Sequence, residues 1–129
     1  TRKEHTDCWL EIAANPLVDV IGHCGDPRYA FDLDTVIPAF KQHGKIVEIN
    51  SHSFEGRAGS AEGCRKVALA CMKYEVPIVV SSDAHFVNHI GYFKEAMDML
   101  ESIHFPEELI LNANEERFAA VIRAKRTQP

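Results

Sequence analysis

No two cysteines in these 129 residues stand at the spacing of a CxxC zinc ligand pair. Cys8, Cys24, Cys64 and Cys71 are also too sparse for a disulfide scaffold, so they read as reduced thiols in a cytoplasmic protein. No run is long and apolar enough to span a bilayer, and the N-terminus lacks the pattern of a signal peptide, so no membrane association is expected. Basic runs are missing as well. With 14 Lys and Arg against 19 Asp and Glu the formal charge is −5, which argues against nucleic acid as a partner. A phosphate-binding P-loop, a GxSxG elbow and a Gly-rich dinucleotide fingerprint are all absent, and a serine nucleophile is unsupported. The chain starts at Thr1 without a Met, and so reads as a processed or excised piece of something longer.

What is present is an ordinary globular composition, enough for a single domain over residues 1–129. Apolar periodicity and turn residues alternate helix with strand. A first helix is expected from about Asp7 to Ala14 with Thr6 as its N-cap, then a strand from Val18 to Gly22. A second helix, capped by Asp32 or Asp34, runs to His43 with Gly44 at its C′ position, and a second strand covers Lys45 to Asn50. Ser60 opens a third helix to Tyr74, whose stripe of Val67, Ala68, Cys71 and Met72 faces a core. The third strand, Pro77 to Ser82, is Val/Ile-rich and reads as buried on both faces. A helix from Gly91 to Ser102, a short strand from Leu109 to Leu111 and a helix from Asn114 to Lys125 complete the order. Four strands separated by helices imply an α/β fold with parallel strands and right-handed crossovers. Four strands cannot close a barrel. The chain is therefore either a small open sheet or part of a barrel, and an exposed sheet edge invites self-association.

The residues that could carry chemistry gather at the carboxyl ends of these strands, where α/β folds keep their sites. His23 follows the first strand; Asp83 and His85 follow the third. Imidazole and carboxylate together suit zinc, manganese or iron. A hydrogen-bonded loop histidine is the plainer reading of each one taken singly. His52, after the second strand, is better read as a loop or substrate contact than as a metal ligand. Glu48 shares a strand face with Asn50, and a carboxylate there needs a partner. Arg57 sits in a loop that feeds a helix N-terminus, a combination that can hold phosphate, and Arg28 is a second cation after His23. The alternative for both is a solvated loop arginine. His5, His43 and His104 read as terminal, capping and loop residues, while His89 lies within reach of His85.

The segments Asp19 to Tyr29, Val47-Glu48-Ile49-Asn50 and Ser82-Asp83-Ala84-His85 together resemble the PHP (polymerase and histidinol phosphatase) domain family. The likeness is greatest to its small stand-alone bacterial phosphatases of the YcdX type. It extends over nearly the whole chain, including Arg57-Ala58-Gly59-Ser60 and Phe105-Pro106-Glu107-Glu108. The resemblance implies a distorted (β/α)7, TIM-like barrel of which this chain is the C-terminal half. It also implies a cluster of up to three divalent metal ions (Zn, Mn or Fe) that hydrolyses phosphate monoesters through a metal-activated hydroxide. Carried over by position, His23, Asp83 and His85 would be metal ligands, with Asp83 and His85 at the catalytic centre. Arg57, Arg28 and His52 would contact a small phosphorylated substrate. The family's opening His-x-His strand, its next histidine, its bridging glutamate and a mid-barrel histidine have no counterpart here. Three ligands do not build three metal sites, so the isolated chain is expected to be inactive and the phosphatase activity to belong to a longer parent. Two other readings are a metal-dependent amidohydrolase, disfavoured by the Asp-x-His pair, and a non-catalytic PHP-like scaffold or regulatory module.

Overall fold

The computed structural model describes residues 1–55 and 58–127. Among the described residues five helices, α1 (Arg2–Ala14), α2 (Leu33–Gln42), α3 (Ser60–Tyr74), α4 (Lys94–Ser102) and α5 (Glu115–Arg126), accompany three strands, β1 (Val20–Ile21), β2 (Ile46–Asn50) and β3 (Ile78–Ser81). The strands form one parallel sheet in the order β1-β2-β3, with Val20 opposite Ile46 and Val47 opposite Ile78. The α/β class read from the sequence is thus observed.

Alternation along β2 divides the sheet into two faces. Val47 and Ile49, with Ile21, Ile78 and Val80, join Val36, Ile37 and Phe40 of α2 and Val67, Ala68 and Cys71 of α3 in one apolar cluster. Glu48 and its register partner Val79 share the opposite face, as do Asn50 and Ser81. Val79 and Ser81 are half-buried, so β3 is not covered on both sides as its composition suggested.

Several boundaries differ from the sequence reading, each for a local reason. Helix α1 starts at Arg2 because Thr1 and Glu4 form a capping box. Thr6, expected as the cap, instead donates to the Arg2 carbonyl within the helix and accepts from the Asp32 N–H. Strand β1 is two residues long, since the Val18 carbonyl accepts from the Lys45 ammonium rather than from a neighbouring strand (2.6 Å). Helix α4 begins at Lys94, after a turn in which Gly91 holds φ +80°. Helix α3 matches its expected bounds, with the left-handed Gly59 as its N-cap.

The strand expected at Leu109 to Leu111 does not form. Two short 3-10 turns, Glu107–Leu109 and Leu111–Ala113, flank a single parallel bridge between Ile78 and Ile110. The Asn112 carboxamide supplies the rest of the pairing. Its oxygen accepts from the Val80 N–H at 2.9 Å and its nitrogen donates to the Val80 carbonyl at 2.7 Å. One side chain therefore does at β3 what a fourth strand's backbone would do.

Helix α3 crosses the segment after β1 at very short range. A Cβ added to Gly63 would lie 1.8 Å from the Gly25 carbonyl oxygen, and one added to Gly25 would lie 2.7 Å from the Cys64 nitrogen. Both contacts involve backbone, which cannot swing aside. Ordinarily a helical Gly→Ala change gains up to about 1 kcal/mol. Here Gly63→Ala is expected to lose about 2–3 kcal/mol through overpacking. Urea denaturation reads the sign directly, and a gain would show that α3 and the Gly25 segment part without cost.

Candidate functional site

Among the described residues, four that are not glycine adopt positive φ: His23, Glu75, Asp83 and His104. Glu75 is the C-cap of α3, and His104 lies in the turn that ends α4, places where a left-handed residue is ordinary. His23 (φ 28°) and Asp83 (φ 48°) cap no helix. They stand just past β1 and β3, at the carboxyl ends of parallel strands, and such outliers collect at functional sites. Both residues were candidates from sequence, and the fold brings them to one rim of the sheet.

Glu48 links that rim together. Its Oε2 accepts from the His23 backbone N–H at 2.9 Å and from Asn50 Nδ2 at 3.2 Å, while its Oε1 accepts from the Ser81 hydroxyl at 2.7 Å. The carboxylate therefore binds residues at the ends of all three strands. His23 Nδ1 lies 3.8 Å from Oε2, with the Glu48 side chain 20% exposed and the His23 ring 58% exposed. Sequence reasoning placed Glu48 on this face and required a partner for it, without identifying Ser81 or the His23 backbone. The legible signal was a lone carboxylate in the otherwise apolar run Ile46-Val47-Glu48-Ile49.

The second corner of the rim holds Asp83, His85 and His52. His85 Nδ1 is 2.8 Å from the Asp83 carbonyl oxygen. A carbonyl only accepts, so Nδ1 is the donor in this contact, and whenever the ring is neutral the lone pair is on Nε2. The rings of His85 and His52 stack with centroids 4.5 Å apart and planes inclined by 29°. His52 reaches this position from a 3-10 turn, Ser51–Phe54, that Asn50 caps by accepting from the Ser53 N–H and hydroxyl. Beyond His85 the chain exposes Phe86, Val87 and Ile90, which the sequence reading did not single out.

Arg28 is not an unattached cation. Its Nε and Nη2 grip the Asp26 carboxylate at 2.6–3.2 Å, and Asp26 is itself buried. An acid partner at that range offsets charge that would otherwise attract phosphate. Arg57 lies outside the described residues. Among the described residues no group of three or more His, Cys, Asp and Glu stands close enough to hold a metal ion. A cavity of about 440 Å³ is lined by Cys24, Gly25 and Asp26 on one side and by Gly59, Gly63 and Lys66 of the α3 region on the other; none of His23, Glu48, His52, Asp83 and His85 lines it. No described helix is long and apolar enough to cross a membrane.

Comparison with known proteins adds an independent line. The model of a family described as PHP-associated matches residues 61–127. A probable phosphatase of Acetivibrio thermocellus is 39% identical over 126 residues, covering 98% of this chain and 52% of its own length. A probable phosphatase of Clostridium botulinum is 39% identical over 123 residues, 95% of this chain and 51% of its own. One of Caldanaerobacter subterraneus is 38% identical over 125 residues, 96% and 49% respectively. The chain spans about half the length of the curated relatives it matches.

Cys24, next to His23, is buried, as are Cys64 and Cys71, whereas Cys8 is exposed. Burial, reinforced by the neighbouring Cys64, pushes the Cys24 thiol up from 9.0 to about 12. The native thiol stays protonated while the unfolded one ionises, so the contribution is intact below pH 9.0 and is lost as pH rises towards about 12. Each such thiol removes up to about 1.4 kcal/mol of stability per pH unit in that window. Unfolding midpoints measured across it should fall less steeply for Cys24→Ala than for the unsubstituted chain. Parallel slopes would show that Cys24 ionises alike in both states.

Proposed function

The chain belongs to the PHP-associated family, and from that membership we propose that it forms the late half of a metal-dependent phosphoesterase acting on phosphate monoesters. The observation that carries this reading is the pair of left-handed residues His23 and Asp83, set past the ends of parallel strands on one rim. The phosphatase names of the relatives support it. Strands that advance one place at a time in sequence order are compatible with the wall of a barrel. On this reading the three strands are part of a distorted (β/α)7 barrel, and self-association would proceed through the short β1 edge.

The donor types at the rim suit a divalent ion such as zinc, manganese or iron, but their number among the described residues does not complete a site. The reading therefore assigns His23, Asp83 and His85 as part of a ligand set, with the remainder supplied from outside these residues. A divalent ion would supply positive charge to the phosphoryl oxygens and lower the pKa of a bound water. The chain's own contribution is orientation. His85 commits its Nδ1 proton to the Asp83 carbonyl and keeps Nε2 available as a donor atom. His52, stacked on His85, restricts that ring and borders the space where substrate would sit. Arg28 would approach phosphate only while sharing its charge with Asp26, which makes Arg57 the stronger candidate for the phosphate contact.

The test uses a full-length protein containing this chain, with p-nitrophenyl phosphate and manganese. His23→Ala and Asp83→Ala should each lower turnover at least about 100-fold, more than the loss of a supporting residue around a metal site. The isolated 129-residue chain should show no turnover above buffer. Phosphatase turnover by the isolated chain that Asp83→Ala abolishes would overturn the division of the site. Hydrolysis of an amide instead of the phosphate would favour the amidohydrolase reading, and intact function in both variants would favour a scaffold.

A further inference from the structure

A loop histidine offered to a metal has two freedoms that must be removed before it binds well: its backbone can rotate, and its proton can sit on either ring nitrogen. We infer that Glu48 is a positioning residue that removes both from His23, holding its left-handed backbone and keeping the ring proton on Nδ1 so that Nε2 faces outward as the donor atom. The inference rests on the reading of His23 as a ligand, but its geometry stands apart from it.

The backbone half follows from the hydrogen bond at 2.9 Å between the His23 N–H and Glu48 Oε2. A φ of 28° is costly for a residue with a Cβ, and the bond to a largely buried carboxylate offsets that cost. The ring half follows from the Nδ1 to Oε2 separation of 3.8 Å. This is too long for a hydrogen bond, yet close enough that a carboxylate favours an N–H over a lone pair facing it. Glu48 is itself fixed from two further directions, by Ser81 on Oε1 and Asn50 on Oε2, so its direction is not free to follow the histidine. His85 meets the same requirement through a different acceptor, the carbonyl of Asp83, so the two corners of the rim present their imidazoles in one tautomer.

Glutamine at position 48 separates the two halves. Its oxygen can take the His23 and Asn50 bonds while its amide donates to the Ser81 hydroxyl, which turns to accept, so the shape survives and the charge is lost. The experiment is nitrogen-detected NMR of the imidazoles at about pH 9, well above the ordinary imidazole range, together with amide exchange at His23. The unsubstituted chain should show the proton on Nδ1 of His23 and a protected amide. In Glu48→Ala the amide should exchange at least about tenfold faster. In Glu48→Gln the amide should remain protected while the ring proton moves towards Nε2, as it does in unconstrained histidine. Unchanged His23 exchange in Glu48→Ala overturns the inference. Should that variant not fold, Glu48→Gln decides, and a proton that stays on Nδ1 overturns it. Zinc titration of the full-length protein is read separately. If no zinc binds while the His23 signals respond as stated, the ligand reading falls and the positioning role stands.

Discussion

A single carboxylate on the open face of the sheet ties the three strand ends together. Parallel strands end with backbone groups that the ladder no longer serves, and β1, at two residues, has almost no ladder to rely on. Glu48 replaces it with charge-assisted bonds to residues of all three strand ends. What lies above depends on that tie. The backbone turn at His23 is built on it, Asn50 is held so that it can cap the turn carrying His52, and Ser81 is anchored two residues before Asp83.

The opposite end of the sheet is closed by the opposite charge. Lys45 is 4% exposed, and its ammonium donates to the carbonyls of Asn15 and Val18, both at 2.6 Å. Burial pushes its pKa down, and the nearby Lys125 adds to that effect. Lys125 in turn reaches from α5 to the Gly44 carbonyl at 2.6 Å and to Asp19 at 3.2 Å. A short sheet is thus held by an anion at its carboxyl end and cations at its amino end. Backbone pairing is sparse at both, and the apolar layer under α2 and α3 supplies the rest.

Much of this organisation was legible in the sequence. The third helix was readable to the residue because Gly59-Ser60 and Tyr74-Glu75 bracket an apolar stripe of clean helical period. The positions of His23, Asp83 and His85 past strand ends were readable because each follows a Val/Ile-rich run of strand character. Helix α1 was read too short because Thr6 looked like a cap, while the Thr1/Glu4 box lay at the ragged start where sequence gives little weight. The fourth strand was misread because Leu109 to Leu111 has strand composition, and nothing local reveals that the Asn112 side chain will reach the Val80 backbone. Glu48 was placed on the correct face, but its partners come from elements 25 and 33 residues away, a distance over which periodicity carries no information. The Gly25 to Gly63 contact was invisible for the same reason, since each glycine alone is an unremarkable loop or helix residue.

The carboxamide of Asn112 has a further consequence for the behaviour of the molecule in a crowded solution. A sheet edge recruits another chain by offering an N–H and a carbonyl at strand spacing, and at Val80 both are already taken by one side chain. A strand arriving there must first evict Asn112, so fibril-like growth along β3 meets a local energetic threshold that no additional strand was needed to create. Protection at this edge is consequently shared between one side chain, Asn112, and the single backbone bridge from Ile110 to Ile78.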